Sequence, residues 1–193
     1  MLFFKKPQAR FRIKLNVEIA KVSKNGKRAK DLFQLNGLGK LLLKAGIINP
    51  FVKIPYLLGS FTDKLVITNI VTDVGKAAVA SRINGAGSEA AFTYLAVGTG
   101  VTAEGVGDTA LQTEITDSGL ARAAATASRV TTDTTNDTAQ LTNTFTVTGS
   151  KAVTESGILN ASSSGVLLAR KVFSAINVVN GDSLQITWKF DVD

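Results

Sequence analysis

The chain has 193 residues, 45% of them apolar, a net charge of +7, and neither Cys nor His. That length supports one good hydrophobic core, or one core with an appended segment. The missing cysteines exclude disulfides and thiolate metal sites, and the missing histidines remove the commonest general base and the commonest metal ligand together.

The charge is unevenly placed. Residues 1–54 carry 13 Lys and Arg against Glu18 and Asp31, a net of +11, whereas residues 55–193 carry 9 against 13, a net of −4. Such asymmetry implies an acidic partner for the first part: an acidic protein surface, nucleic acid or a membrane. An acidic protein surface ranks above DNA, because no aromatic residues interleave with the cations at the spacing of a nucleic-acid module. Met1-Leu2-Phe3-Phe4 ahead of Lys5-Lys6 has the wrong order for a secretory signal, and no apolar run approaches the ~18 residues that span a bilayer.

In chain order, Phe11, Ile13, Leu15, Val17 and Ile19 alternate with Arg10, Arg12, Lys14, Asn16 and Glu18, which predicts a half-buried strand over 10–21 with a basic outer face. Asn25-Gly26 then supplies the turn of a hairpin tipped by Lys24, Lys27 and Arg28. Either this tip is a solvated edge that blocks strand pairing, or it is a basic finger touching a neighbour. Leu38, Leu41, Leu42, Ala45 and Ile48 predict a short helix closing near Gly46, after which Pro50 and Pro55 force an extended path. Its Phe51, Val52, Ile54, Tyr56, Leu57 and Leu58 must be buried against this domain or another subunit.

Asp73 is placed to cap a helix through Ile83, with Val74, Ala77, Ala78 and Ile83 inward and Gly85 as its stop. Next, Ala91 to Ile115 reads as a strand at Phe92–Val97, the loop Gly98-Thr99-Gly100, and a helical turn at Asp108–Leu111. Neither this loop nor Gly85-Ala86-Gly87-Ser88 has the Gly-Lys-Ser/Thr continuation or βαβ setting of a phosphate cradle. Strands follow at 120–130, 140–148, 152–160, 166–174 and 183–192, separated by turns at Asn136-Asp137, Gly149-Ser150, Ser162–Gly165 and Asn180–Asp182. The fold class expected is mainly β, an antiparallel sandwich or jelly-roll-like domain, with one or two short helices and an extended basic N-terminal arm. Two parts are expected, residues 1–60 as arm, hairpin and extended segment, and residues 61–193 as the β-rich domain.

No catalytic constellation, cofactor site or metal site emerges. Glu104, Asp108, Glu114 and Asp117 cluster in sequence, but Asp108 reads as a helix cap and Glu114 as an exposed helical position. A carboxylate dyad across a sugar cleft would need an aromatic lining that one Trp and two Tyr supply thinly. Asp133, Asn136 and Asp137 lack the alternating oxygen ligands and closing Glu of a calcium loop. Glu155 interrupts an apolar strand, and is expected to pair with Arg170 or Arg122 at a strand crossing or else to face water.

Phe92–Gly100 followed by Asp108–Ile115 resembles tailed-bacteriophage virion proteins. It is similar to the N-terminal module of tail-collar fibres, in which a helix precedes a strand ending in Val-Gly-x-Gly and a Thr-Ala-Leu-x-x-Glu turn. Val153–Ile158, Leu167–Arg170 and Asn180–Leu184 resemble small phage structural proteins, so the likeness covers residues 66–193. The basic stretch through residue 54 has no counterpart in the collar-fibre pattern, and the chain is expected to end in a closing strand rather than run on into a fibre shaft. The resemblance therefore implies a virion protein without enzymatic activity, assembled in the bacterial cytoplasm, most simply a capsid decoration or cement protein. A tail, collar, neck or baseplate part is the alternative, and a nucleic-acid-binding accessory protein the second. Partners implied are the major capsid protein or tail and neck proteins, with a homotrimer by analogy and no membrane. The contact residues expected are Arg10, Arg12, Lys14, Lys24, Lys27 and Arg28 for charge, and Leu2, Phe3, Phe4, Phe51, Ile54, Tyr56 and Leu57 as apolar anchors.

Overall fold

The structure, a computed structural model, describes residues 13–24, 26, 32–35, 59–62, 64–68 and 70–192. The described residues form twelve strands and one helix: β1 (Ile13–Val22), β2 (Leu32–Leu35), β3 (Gly59–Thr62), β4 (Lys64–Thr68), β5 (Ile70–Val71), α1 (Asp73–Asn84), β6 (Tyr94–Gly98), β7 (Ala123–Ala124), β8 (Thr126–Val130), β9 (Thr138–Thr146), β10 (Lys151–Leu159), β11 (Leu167–Val178) and β12 (Ser183–Val192). One antiparallel sheet runs β4-β1-β12-β9-β8 and the other β5-β11-β10-β6-β7, with β2 and β3 forming a separate ribbon. The chain is therefore mainly β and sandwich-like, as its strand spacing predicts.

Alternation builds the core. Leu184, Ile186, Trp188 and Phe190 of β12 point inward and are buried, and Val17 and Ile19 of β1 join them. They meet Leu95 and Val97 of β6, Val153 and Ile158 of β10, and Phe173 and Ile176 of β11, so both sheets share one core. Trp188 stacks on Phe190 with ring centroids 6.1 Å apart, and its Nε1 donates to Ser156 Oγ at 3.2 Å, which satisfies the only polar atom of the indole at the sheet interface. The chain changes sheets between β4 and β5 and again between β7 and β8, so each lateral edge of the sandwich is lined by a strand that crosses over.

Several local expectations are corrected. The predicted strand over 120–130 divides into β7, whose pairing with β6 is carried on by Ala125 N bonding Thr93 O at 2.7 Å, and β8, which pairs with β9 in the other sheet. The turn at Gly26 forms, with φ 76° and a 2.8 Å bond from Gly26 N to Ser23 O, but β1 pairs with β12 and β4 rather than with a strand directly after the turn. Strand β1 thus lies inside the five-stranded sheet rather than beside it. The helix predicted from Asp73 starts one residue earlier at its cap, where Thr72 Oγ1 accepts from Gly75 N at 3.0 Å. Its buried residues are Gly75 and Ala78, while Val74, Ala77 and Ile83 are exposed. The reason is proximity: a Cβ at Gly75 would sit 2.4 Å from Leu168 O, so the helix meets β11 through its smallest residues. The helical turn expected at Asp108–Leu111 is irregular chain.

The helix and extended path expected over 36–58 lie outside the described residues, and so do Leu2, Phe3, Phe4, Arg10, Arg12, Lys27, Arg28, Phe51, Ile54, Tyr56 and Leu57. Among the described residues no helix is long and apolar enough to cross a membrane.

Candidate functional site

The most unusual chemistry in the molecule is a carboxylate and a guanidinium buried in the middle of a sheet. A bulge creates the arrangement. β10 and β11 shift register between Val153 and Glu155, so Val153 faces the shared core while Thr154 and Glu155 both reach the segment following β6. Thr154 Oγ1 donates to Gly100 O at 2.8 Å, and Glu155 Oε1 accepts from Gly100 N at 3.1 Å.

Glu155 is fully buried, and its two oxygens accept four hydrogen bonds. Oε1 takes Gly100 N and Thr113 N at 3.1 and 2.7 Å; Oε2 takes Gln112 N and Arg170 Nε at 3.1 and 2.7 Å. Arg170, 3% exposed, spends its other nitrogens on Asp108 Oδ2 at 2.9 Å and Thr102 O at 3.0 Å. Burial works against the Arg170 charge, but hydrogen bonds and attraction from Glu155 and Asp108 outweigh it, and its pKa lies above the ordinary value. The network pins residues 99–113 across the outer face of the β6-β10-β11 sheet. Beneath the pin, Leu111 covers Ala96, Leu159 and Leu167 as a small second core. Two glycines make the approach possible: a Cβ at Gly98 or Gly100 would lie 2.4 or 2.5 Å from Glu155 Oε1.

The sequence leaves Glu155 to pair with Arg170 or Arg122 or to face water; it pairs with Arg170, and Arg122 is engaged elsewhere. It places a two-pronged pair on Glu114 at 2.9 and 2.6 Å and donates to Ala161 O and Ser164 O. Glu114 is therefore not an exposed helical residue, and Asp108 is not a helix cap; its Oδ2 holds Gly105 N at 2.9 Å together with Arg170. Glu104 pairs with Lys171, and Asp117 with Lys151 at 2.9 Å. Each acid of the cluster thus faces a Lys or Arg. Acid–base work needs a proton-exchanging partner at a substrate, whereas these pairs tie a segment to a sheet. The signal available in sequence was the complementary run Arg170-Lys171 opposite Glu104 and Asp108, legible only once the segment is known to fold back.

The Thr-rich turn after β8 spends its carboxylate on its own backbone. Asp137 accepts from Thr132 N, Asp133 N and Thr134 N at 2.9, 2.9 and 2.5 Å, and these bonds, that from Thr134 first, hold its pKa far below the ordinary carboxylate value. The candidate phosphate loops are similarly engaged, with Gly100 N on Glu155, Thr99 N on Thr113 O and Ala86 N on Ser81 O. No group of three or more metal-ligating side chains occurs among the described residues.

Of the contact residues expected from sequence, the structure describes the side chain of Lys24, which is exposed, and the backbone of Lys14, paired in register with Asp191. No family model, no curated protein and no solved structure matches the chain.

Proposed function

We propose that this chain is a non-enzymatic structural protein of a tailed-bacteriophage particle, a decoration or cement protein that binds the outer capsid surface and stabilises the head. The supporting observation is where its charges go. The buried groups that would otherwise invite a chemical role, Glu155 and Arg170, are saturated in holding residues 99–113 against the sheet. The cations of residues 1–54, net +11, have only two acidic residues among them and suit an acidic neighbour. A rigid sandwich with such a surface acts by added contact area. Each Å² of apolar surface it buries against capsid subunits contributes about 25 cal/mol, which opposes the outward pressure of packaged DNA. The partner is the major capsid protein, and the assembly a homotrimer, the common closed form for a protein standing on a local three-fold axis.

The resemblance of Phe92–Ile115 to the collar-fibre module favours the second reading, a tail, collar, neck or baseplate part. Copy number per particle, measured by mass spectrometry against the major capsid protein before and after tails are removed, separates the two. Hundreds of copies staying with heads is the expected result. A handful leaving with tails would replace decoration by the tail reading, and absence from particles would remove both.

A further inference from the structure

Seven large apolar residues stay exposed among the described ones, and four of them lie together on the outer side of the β5-β11 edge. Ile70 of β5 is the strand partner of Arg170 and so shares its face of the sheet. On that face the Arg170 guanidinium donates to Thr102 O at 3.0 Å, beside Val101, and to Asp108 Oδ2 at 2.9 Å. Val106 adjoins the start of α1, where its carbonyl accepts from Asp73 N at 2.7 Å, next to Val74. Ile70, Val74, Val101 and Val106 are each 36 to 54% exposed, and the exposed Ala77 and Ala80 extend the surface along α1.

This patch is held stiffly. Thr99 N bonds Thr113 O at 2.9 Å, which ties the two ends of the segment carrying Val101 and Val106, and Glu155 grips it from beneath through Gly100 N, Gln112 N and Thr113 N. Little freedom is left to lose when the patch is covered. Its charges are also spent. Residues 70–80 and 99–113 contain four charged side chains, Asp73, Lys76, Glu104 and Asp108, and each is ion-paired within the chain: Asp73 with Lys76, Glu104 with Lys171, Asp108 with Arg170. A patch so neutralised offers nothing to a phosphate backbone or a strongly charged protein surface. It meets the condition for facing its own copy, because no like charges are brought together. The chain as a whole carries +7, so copies repel one another, and a neutral apolar surface is where that repulsion is least.

We propose that this patch is where copies of the chain meet, the patches of neighbouring copies converging on their symmetry axis. It rests on the homo-oligomer of the reading above and assigns its contact surface. The apolar side chains form the dry centre and the internal ion pairs the polar rim.

The test is sedimentation of the full chain from about 1 to 100 μM. The wild type gives a species heavier than the 20.3 kDa monomer. Val106→Glu and Val106→Lys each raise the dissociation constant about ten-fold or more, since a charge enters an apolar contact, and mixing the two restores association. Val74→Glu acts like Val106→Glu, whereas Val179→Glu with Val192→Glu, at exposed sites in the β11–β12 turn and at the end of β12, leaves the assembly unchanged. All variants keep the wild-type melting temperature, because the side chains replaced are exposed. A wild type that stays monomeric over this range overturns the proposal, as does an assembly indifferent to Val106→Glu. Glu and Lys variants that fail to associate on mixing overturn it too, because the patch then faces a different surface. If the chain is monomeric yet Val106→Glu is lost from particles, the patch takes another virion protein, and the proposal fails while the virion reading stands. If the chain assembles through the patch but is absent from particles, the patch stands and the virion reading falls.

Discussion

The outer faces of the two sheets carry comparable polar side chains and put them to opposite uses. On the β1-β12-β9-β8 sheet, Thr142 bonds Thr187 at 3.0 Å, Gln140 bonds Ser128 at 3.3 Å and Gln185 bonds Thr144 at 3.2 Å, all across neighbouring strands at half-buried or exposed positions. On the β11-β10-β6 sheet, Glu155 and Arg170 lie under residues 99–113 with water excluded. Water competes for every bond of the first set, so each adds little. It cannot reach the second set, so any partner removed leaves a buried group unsatisfied.

The largest effect expected from this contrast is at Glu155. Glu155→Ala strands Arg170 in the interior with Asp108 alone and leaves three backbone N–H groups without an acceptor, costing about 3–5 kcal/mol. For a chain of this size that is a fall in melting temperature of roughly 10 °C, and a fall under ~2 °C would show that water reaches the network after all. A double replacement, Glu155→Met with Arg170→Leu, is less damaging than Glu155→Ala alone, because no fully buried charge is left unpaired; Asp108, which loses Arg170, is 28% exposed to water and keeps Gly105 N.

Gly100→Ala comes next, at about 1–3 kcal/mol, since its methyl would meet both Glu155 and Gln112 Cβ at 2.5 Å and lift the segment from the sheet. Limited proteolysis in residues 99–113 reads that lifting directly. Cleavage no faster than in the wild type would mean that Leu111, rather than the Glu155 network, holds the segment down.

Acid provides a milder probe of the exposed side. The Asp137 carboxylate binds a proton less readily in the folded chain than in the unfolded one, so the stability it lends is present above about pH 4 and lost as the pH falls below that. Asp137→Asn accordingly lowers the melting temperature near neutrality, where the ionised carboxylate holds its turn, and flattens the further fall below about pH 4. With no His in the chain, the wild type is expected to hold a nearly constant melting temperature from about pH 6 to 8. Smallest of all is Thr142→Val on the open sheet, within about 0.5 kcal/mol by chemical denaturation. A loss as large as that of Gly100→Ala would erase the distinction between the two faces.

The C-terminal strands and their turns were legible because their signals are short-range. β12 alternates over its whole length, and Gly181 with φ 92°, Gly165 with φ 83° and Asn136 with φ 61° sit where the turn residues were read. The inner face of α1 was misread because apolarity ranked Val74 and Ile83 above Gly75, while the close approach of β11 favoured the residue without a side chain. Asp108 and Glu114 were misread because Asp108-Thr109-Ala110-Leu111 carries a local cap pattern, whereas the segment gains more from folding onto a sheet that offers Arg170 and from the pairing of Glu114 with Arg122.

By itself the sequence determined a β-rich chain, the positions of its strongest strands and turns, the stop of its helix at Gly85, and the concentration of positive charge before residue 55. Those features depend on side-chain period, glycine conformations and composition, all of which act over a few residues. Only the tertiary structure decided that β1 lies between β12 and β4, closing a contact between Glu18 and Lys189 across 171 positions, and that Glu155 is buried rather than solvated. Pairing and burial of this kind depend on which surfaces remain to be covered once the local elements have formed.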